Sequence, residues 1–398
     1  QAKVPTDASL KKSLEDIQKL SIDSVDPEYR EMLAVLQKQI ADYLARNSES
    51  LFDSVELHTY QTYKGGKRTG LDGTPIYGNY KLVNLLTSHS LDALNWLASN
   101  DESVRINDNI YTVLGGLWPR AHKLSLPVGR GFIEPLQKLN EKYGTEIMLE
   151  TKATELIVKN GRVVGVKAEK SDGTKVTLNA KKAVVMAAGG YGANPKMAIE
   201  YDDYWGCLTE DMPTTNTQLT TGDGIVMSEK IGAALVDMQY IQTYPICDPL
   251  TGTLLYFDDA RLYGHSVIVN KEGKRFVEEL GRRDVMSMAI KAQTGHCCYE
   301  IIDQKGYDES HLEQNHAAEI AYLYKNKLLV KADTLEKAAE FFGIDAKEMI
   351  ATVNRYNSYV AAGKDPEFNK RSLTFPIEKA PFYILKAVPA VHHTMGGV

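Results

Sequence analysis

The sequence predicts an α/β fold with added α+β elements, and three observations carry that reading. The first hundred residues hold apolar positions at helical spacing; from about residue 146 the period becomes that of strands; and a short apolar run at 183–187 leads straight into Ala188-Gly189-Gly190-Tyr191-Gly192. At 398 residues the chain is long enough for two or three domains with sizeable cores.

The elements follow in order. Leu10, Leu14, Ile17 and Leu20 form one helical stripe and Met32, Leu33, Leu36, Ile40 and Tyr43 another, the second helix opening on Asp26-Pro27. The Gly- and Tyr-rich stretch from Tyr60 to Tyr80 reads as an irregular surface connection, with a ligand-facing lid as the alternative. Helical spacing returns at 82–97. Strands are expected at 146–149, 153–159, 162–170 and 175–178, with Asn160-Gly161 and Asp172-Gly173 as their turns. The run 183–187 is read as a buried strand whose glycine-rich end lies where α/β sheets bind nucleotides. The full G-x-G-x-x-G fingerprint is absent: Gly129-Arg130-Gly131 lacks the third glycine. Thr221-Gly222-Asp223-Gly224 precedes a helix at 225–234, which Asp223 could cap while the glycines let a ligand approach. Helices at 334–342 and 345–362 follow, and 239–391 reads as a separate domain.

Composition narrows the function. Lys and Arg number 46 against 52 Asp and Glu, a net charge of −6, and no long basic block argues for a nucleic-acid surface or polybasic membrane docking. No apolar run approaches the roughly 18 residues that span a bilayer. The four cysteines, Cys207, Cys247, Cys297 and Cys298, have no metal-site spacing, so no metal is expected and a small-molecule partner is. The closing His392-His393-Thr394-Met395-Gly396-Gly397-Val398 suits a place where backbone approaches a flat cofactor, a polar loop being the plainer alternative.

Five stretches, taken in order, resemble one family: Ala187-Ala188-Gly189-Gly190; Thr221-Gly222-Asp223-Gly224; Met238-Gln239-Tyr240-Ile241-Gln242; Val269 to Phe276 with Arg283-Asp284; and His392 to Gly397. The set is similar to the flavoprotein subunits of the fumarate reductase and succinate dehydrogenase family, and within it to urocanate reductases. The resemblance implies an incomplete FAD-binding Rossmann-like domain (1–238) with an inserted capping domain (239–391), then a return to the FAD domain at 392–398. Family members carry an N-terminal strand-loop-helix and a C-terminal segment with a further substrate Arg, so the chain is read as the central portion of such an enzyme. The resemblance favours a periplasmic or cell-surface location, with a cytoplasmic one as the alternative.

The implied reaction is reduction of the C=C bond of a 2-enoate, the flavin supplying hydride and Arg283 the proton. The bland reading of Arg283 is an ion pair with Asp284 or Glu279. Counting back from Val269-Asn270 sets Asp259 where fumarate reductases have a relay Glu, with Leu262 at the relay Arg position and Arg261 beside it. Tyr244 stands where they have a substrate His. A phenol and an extra acid suit urocanate's imidazole better than a second carboxylate; taken singly, Tyr244 could be a core phenol and Asp259 a solvated acid. The resemblance further implies His392, Gln242 and Thr215 as substrate neighbours. It implies His393, Met395, Gly396, Gly397, Gly189, Gly190, Gly222, Asp223 and Gly224 as cofactor neighbours. Fumarate or an aryl acrylate such as cinnamate is the alternative substrate, and a non-catalytic binding fragment without FAD the alternative of another class. Electrons are expected from a haem-, FMN- or NADH-linked domain or protein outside these residues.

Overall fold

The computed structural model describes residues 7–46, 48–102, 104–113, 116–126 and 129–398. The chain divides into two compact units, Gln1–Leu149 and Glu150–Val398.

The first unit is mainly helical: α1 (Ala8–Gln18), α2 (Arg30–Ala45), α3 (Val55–Gly66), a small hairpin β1 (Arg68–Thr69) and β2 (Pro75–Ile76), α4 (Tyr80–Asn100), a second hairpin β3 (Ile106–Tyr111) and β4 (Ala121–Leu124), and α5 (Arg130–Tyr143). Asp7 caps α1 by accepting from the Ser9 and Leu10 N–H groups, which the helix itself leaves unpaired. The two stripes read from sequence close one core, in which Leu14, Ile17, Leu33, Leu36 and Ile40 meet Leu57, Tyr60 and Tyr63. Tyr60 to Gly66 is therefore helix α3 rather than a surface connection. Ser54 caps it, and Leu57, Tyr60 and Tyr63 recur every three residues, so the aromatics that looked like loop residues are its buried stripe. The second helix also starts differently: Asp26-Pro27 opens a short 3-10 turn that runs into α2.

The second unit begins with an antiparallel sheet of β5 (Thr151–Lys159), β6 (Arg162–Lys170) and β7 (Lys175–Asn179). Asn160 and Gly161 both take positive φ (52° and 74°), the conformation a two-residue hairpin needs. Two expected strands are absent. Residues 146–149 and 183–187 are irregular, with Leu149 80% and Val185 86% exposed. Strand backbone is held by a neighbour's N–H and C=O groups, and among the described residues neither run has a strand beside it. Short helices α6 (Pro195–Glu200) and α7 (Asp223–Glu229) follow; α7 ends before residue 234 because Gly232 turns left-handed (φ 91°).

The remainder is built on β8 (Ile241–Cys247), α8 (Asp259–Leu262), β9 (Val267–Val269), α9 (Arg283–Lys291), β10 (Cys298–Asp303), α10 (Gln304–Glu309), α11 (Leu312–Lys325), β11 (Leu329–Ala332), α12 (Leu335–Phe342), α13 (Ala346–Ala362) and β12 (Phe382–Thr394). The sheet order is β11-β12-β10-β9, all antiparallel, and the far half of the long β12 pairs with β8. Alternate residues bury on opposite faces. Cys298, Ile302, Tyr383 and Leu385 pack with Met286 and Ile290 of α9 and Leu312, Ile320 and Leu323 of α11. Tyr299, Ile301 and Ile384 pack with Ala338, Ala339, Met349 and Val353 of α12 and α13. Thr334 and Asp345 cap those last two helices. Among the described residues no helix is long and apolar enough to cross a membrane.

Candidate active site

Strand pairing, one bulge and one helix start bring most of the expected substrate residues together. Gln242 and Tyr244, two apart on β8, share a face, and β12 lies alongside with His393 opposite Gln242 and Ala390 opposite Tyr244. The register slips between Val391 and His393, so His392 is the extra residue of a β-bulge. A bulge frees a side chain from the regular alternation and re-aims it. His392 thereby meets Thr215, whose hydroxyl lies 2.7 Å from Nδ1. The 213–216 segment is held in turn on β12, since the Val391 N–H donates to the Pro213 carbonyl (2.8 Å) and the Thr215 N–H to the Val391 carbonyl (2.9 Å). Where Thr215 donates to Nδ1, the ring hydrogen sits on Nε2 and points away from Thr215. Burial, then His393 and the Arg283 charge, hold His392 down at about 4, so it is a neutral donor at physiological pH.

Arg283 is the first residue of α9, at the positive end of the helix dipole, where a cation is least favoured. Its guanidinium lies 4.8 Å over the Tyr244 ring, and Nη1 donates to Gln242 Oε1 at 3.3 Å. The ion pairs anticipated as its bland role belong to other arginines: Asp284 pairs with Arg282 (2.8 Å) and Glu279 with Arg275 (2.8 Å). Among the described residues Arg283 has no salt bridge, although it is half-buried. A cation packed on a ring face and left without a counter-ion is suited to meeting an incoming anion.

Tyr244 is buried, and its hydroxyl donates to Asp258 Oδ2 at 3.0 Å. Burial, then Asp258, pushes its pKa far up, so it stays a neutral phenol whose free surface is the ring, with the His392 ring 5.3 Å away. Asp258 accepts both Arg261 Nε (2.5 Å) and Nη2 (2.6 Å), and the remaining Arg261 nitrogen donates to the Glu279 carbonyl at 2.7 Å. Reading the sequence without a gap aligned Asp259 with Leu262; the folded chain pairs Asp258 with Arg261, three residues on. Asp259 turns elsewhere, its Oδ2 lying 3.1 Å from His316 Nε2.

Glu300 was not anticipated. It is fully buried on β10 and neither carboxyl oxygen has a hydrogen-bond partner. Burial, then the Asp258 charge, pushes its pKa well above the ordinary Glu range, which favours the protonated form. An i, i+3 search for acid and Arg would have found Asp258–Arg261, and a lone Glu in the apolar run Cys297-Cys298-Tyr299-Glu300-Ile301-Ile302 was a visible signal.

The glycines divide into two kinds. A side chain on Gly190 would strike Thr394 Oγ1 (2.1 Å), on Gly222 Met197 Sδ (2.6 Å), on Gly224 Met186 Sδ (2.6 Å), and on Gly396 the Met238 backbone (2.4 Å). These four are glycine because protein packs against them. Gly189 and Gly397 instead have nothing within 4 Å, and Gly189 is left-handed (φ 72°). Asp223 does not cap α7: the cap position is Gly222, and the Asp223 carboxylate pairs with Lys152 Nζ at 3.1 Å. Met395 and His393 are exposed, and burial, then Arg283, lowers the His393 pKa.

A family described as the FAD binding domain matches residues 13–398. The chain belongs to that family. Its relatives include the NADH:acrylate oxidoreductase of Vibrio harveyi, 42% identical over 378 residues, 93% of this chain and 37% of that protein. They also include the urocanate reductase of Eggerthella lenta, 40% identical over 357 residues, 88% of this chain and 56% of that protein. Among solved structures, the open conformation of a flavocytochrome c3 fumarate reductase matches with a TM-score of 0.70 at 31% identity, covering 87% of this chain and 58% of that one. The chain therefore spans only part of the length of each. FAD is the cofactor of the family, and the open, left-handed Gly189 beside the packed Gly190–Thr394 contact is a surface a flat group can approach without meeting a Cβ.

Proposed function

We propose that the chain is the substrate-reducing part of a flavin-dependent 2-enoate reductase whose preferred substrate is urocanate, giving imidazolepropionate. The observation that carries the reading is Arg283, a cation with no counter-ion among the described residues, stacked on a neutral phenol at the meeting of β8, β12 and α9. Gly189, Gly397 and His393 would hold FAD, which would supply the hydride when bound. Arg283 gives the proton to the other alkene carbon; its surroundings favour that loss, since the helix dipole opposes its charge and no carboxylate steadies it. Tyr244 excludes water beneath the guanidinium and ties the site to the Asp258–Arg261 pair. Neutral His392, steadied by Thr215, and Gln242, engaged with Arg283, orient the acrylate end. Residues 239–391 act as the cap over the flavin domain, and a haem-, FMN- or NADH-linked donor delivers the electrons.

The substrate follows from charge. Fumarate needs a cation for its second carboxylate, yet Arg261, the other guanidinium beside Tyr244, is spent on Asp258 and a carbonyl. Asp259, next along the chain from Asp258 and paired with His316, adds an acid near that end. Both favour a neutral or basic ring. Acrylate is the second reading, on the strength of a relative named for it. The test is reoxidation of the reduced flavin, followed at about 450 nm, in the complete polypeptide with urocanate, acrylate, cinnamate and fumarate. Urocanate should be fastest; faster fumarate turnover overturns the choice, and a colourless protein that still binds urocanate supports a non-catalytic fragment.

A further inference from the structure

Asp259, the acid assigned to the substrate's ring, already holds an imidazole. His316 Nε2 lies 3.1 Å from Asp259 Oδ2, and the Tyr256 ring stacks on the His316 ring at 5.1 Å between centroids and 10° between planes. A carboxylate at the edge and a phenol on the face are the two contacts an imidazole ligand would be given. The arrangement is built. Glu319, one turn beyond His316, accepts the Tyr256 N–H (3.0 Å) and the Phe257 N–H (2.8 Å), which fixes the 256–259 turn against α11. Asp259 also follows directly on Asp258, whose carboxylate takes the Tyr244 hydroxyl, so this imidazole site begins one peptide unit from the wall of the candidate active site.

The histidine sits at a break in its helix. His316 departs from helical geometry inside α11 (φ −134°, ψ 26°), and the residue preceding that helix, His311, is left-handed (φ 51°). The side chains of His316 and Asp259 keep 18% and 32% of their surface in solvent. A pair so exposed is cheap to part.

We infer that His316 is a specificity-determining residue, its imidazole occupying Asp259 and Tyr256 until the ring of a substrate takes its place. The inference rests on the urocanate reading above for the identity of that ring. It assigns the Asp259–Tyr256 site to imidazoles and other flat N–H heterocycles.

The experiment has two arms in the complete polypeptide. With His316→Ala, the ratio of the urocanate KM to the acrylate KM should fall about two- to fivefold, the size of a partly exposed ion pair. His316→Gln, which keeps a donor on Asp259 without a ring, should give a ratio between the two. Separately, imidazole alone, titrated calorimetrically, should bind His316→Ala and neither the parent protein nor His316→Ala/Asp259→Asn. An unchanged or raised ratio, no imidazole uptake by His316→Ala, or uptake that survives Asp259→Asn would each overturn the inference. A parent protein that does not reduce urocanate would sink the substrate reading alone, and the imidazole titration would still decide the role of His316.

Discussion

Two buried guanidinium clusters lie within residues 239–391, and they differ in how completely their charges are met. Around Arg275, Glu279 accepts Nε and Nη2 at 2.8 and 2.9 Å, Asp365 accepts Nη2 at 2.9 Å, and Lys370 lies 3.5 Å from Glu279. Two cations face two anions, and the Arg275 guanidinium is also packed over Phe368 at 4.8 Å. Burial pushes the Glu279 carboxyl up, but Lys370 and Arg275 outweigh it and hold it below the ordinary value. Around Arg261 the core of the cluster is equally tight, but its ends are open. Among the described residues Arg283, packed over Tyr244, has no ion pair, and the Glu300 carboxyl has no hydrogen-bond partner. A network whose charges are matched in number holds a fold together, even with Arg275 Nη1 left without a hydrogen bond. One left unsatisfied at a cost in stability, next to a strand bulge and an exposed glycine, is where chemistry is expected.

The contrast in stability is broken most severely at Arg275. Arg275→Met strands Glu279 and Asp365 in the core and should lower the unfolding free energy by about 3–5 kcal/mol in denaturant titration. A loss under about 1 kcal/mol would mean that the network is not the clamp described.

The open cluster should respond with the opposite sign. Glu300→Gln removes an acid that stays protonated when folded and ionises when unfolded, so it should stabilise the protein by about 1–3 kcal/mol at pH 7. The sign with pH is fixed. Because the folded-state value is raised, the penalty is absent below the ordinary Glu range and grows as pH rises through it. The gain from Glu300→Gln should therefore vanish near pH 4. A gain constant between pH 4 and 7 would show that Glu300 is ionised in the fold.

The smallest effect belongs to His392. Its folded value is depressed to about 4, so the unfolded chain takes up a proton first as pH falls below about 6.5. Stability should drop between those two values, and His392→Asn should flatten that part of the profile. The ring is partly exposed to solvent screening, so a shallow slope is expected.

The legibility of the chain follows the same division. Helical stripes, the Asn160-Gly161 hairpin and the helices at 334–342 and 345–362 were readable because each is set by residues a few positions apart. The run 183–187 was misread because a strand is made by its neighbour, which periodicity does not report. At the site, the sequence names Arg283, Tyr244, Gln242, Thr215 and His392, and the fold brings their side chains together. The Asp258–Arg261 pair was displaced by one residue because counting without a gap ignores which side chain a helical turn presents. Glu300 and His316 were missed because their meaning lies in what surrounds them: a missing partner in one case and a stacked ring with a carboxylate in the other.

The most direct test of the account is Arg283→Lys, assayed together for turnover, FAD content and unfolding midpoint. Lysine keeps the charge but loses the planar contact with Tyr244 and the reach to Gln242. Reduction of the enoate should fall by about 10²–10⁴-fold, with bound FAD and the midpoint little changed. Near-normal turnover would remove Arg283 from the proton-donor role, and a collapse in stability comparable to that of Arg275→Met would show that it belongs to the scaffold.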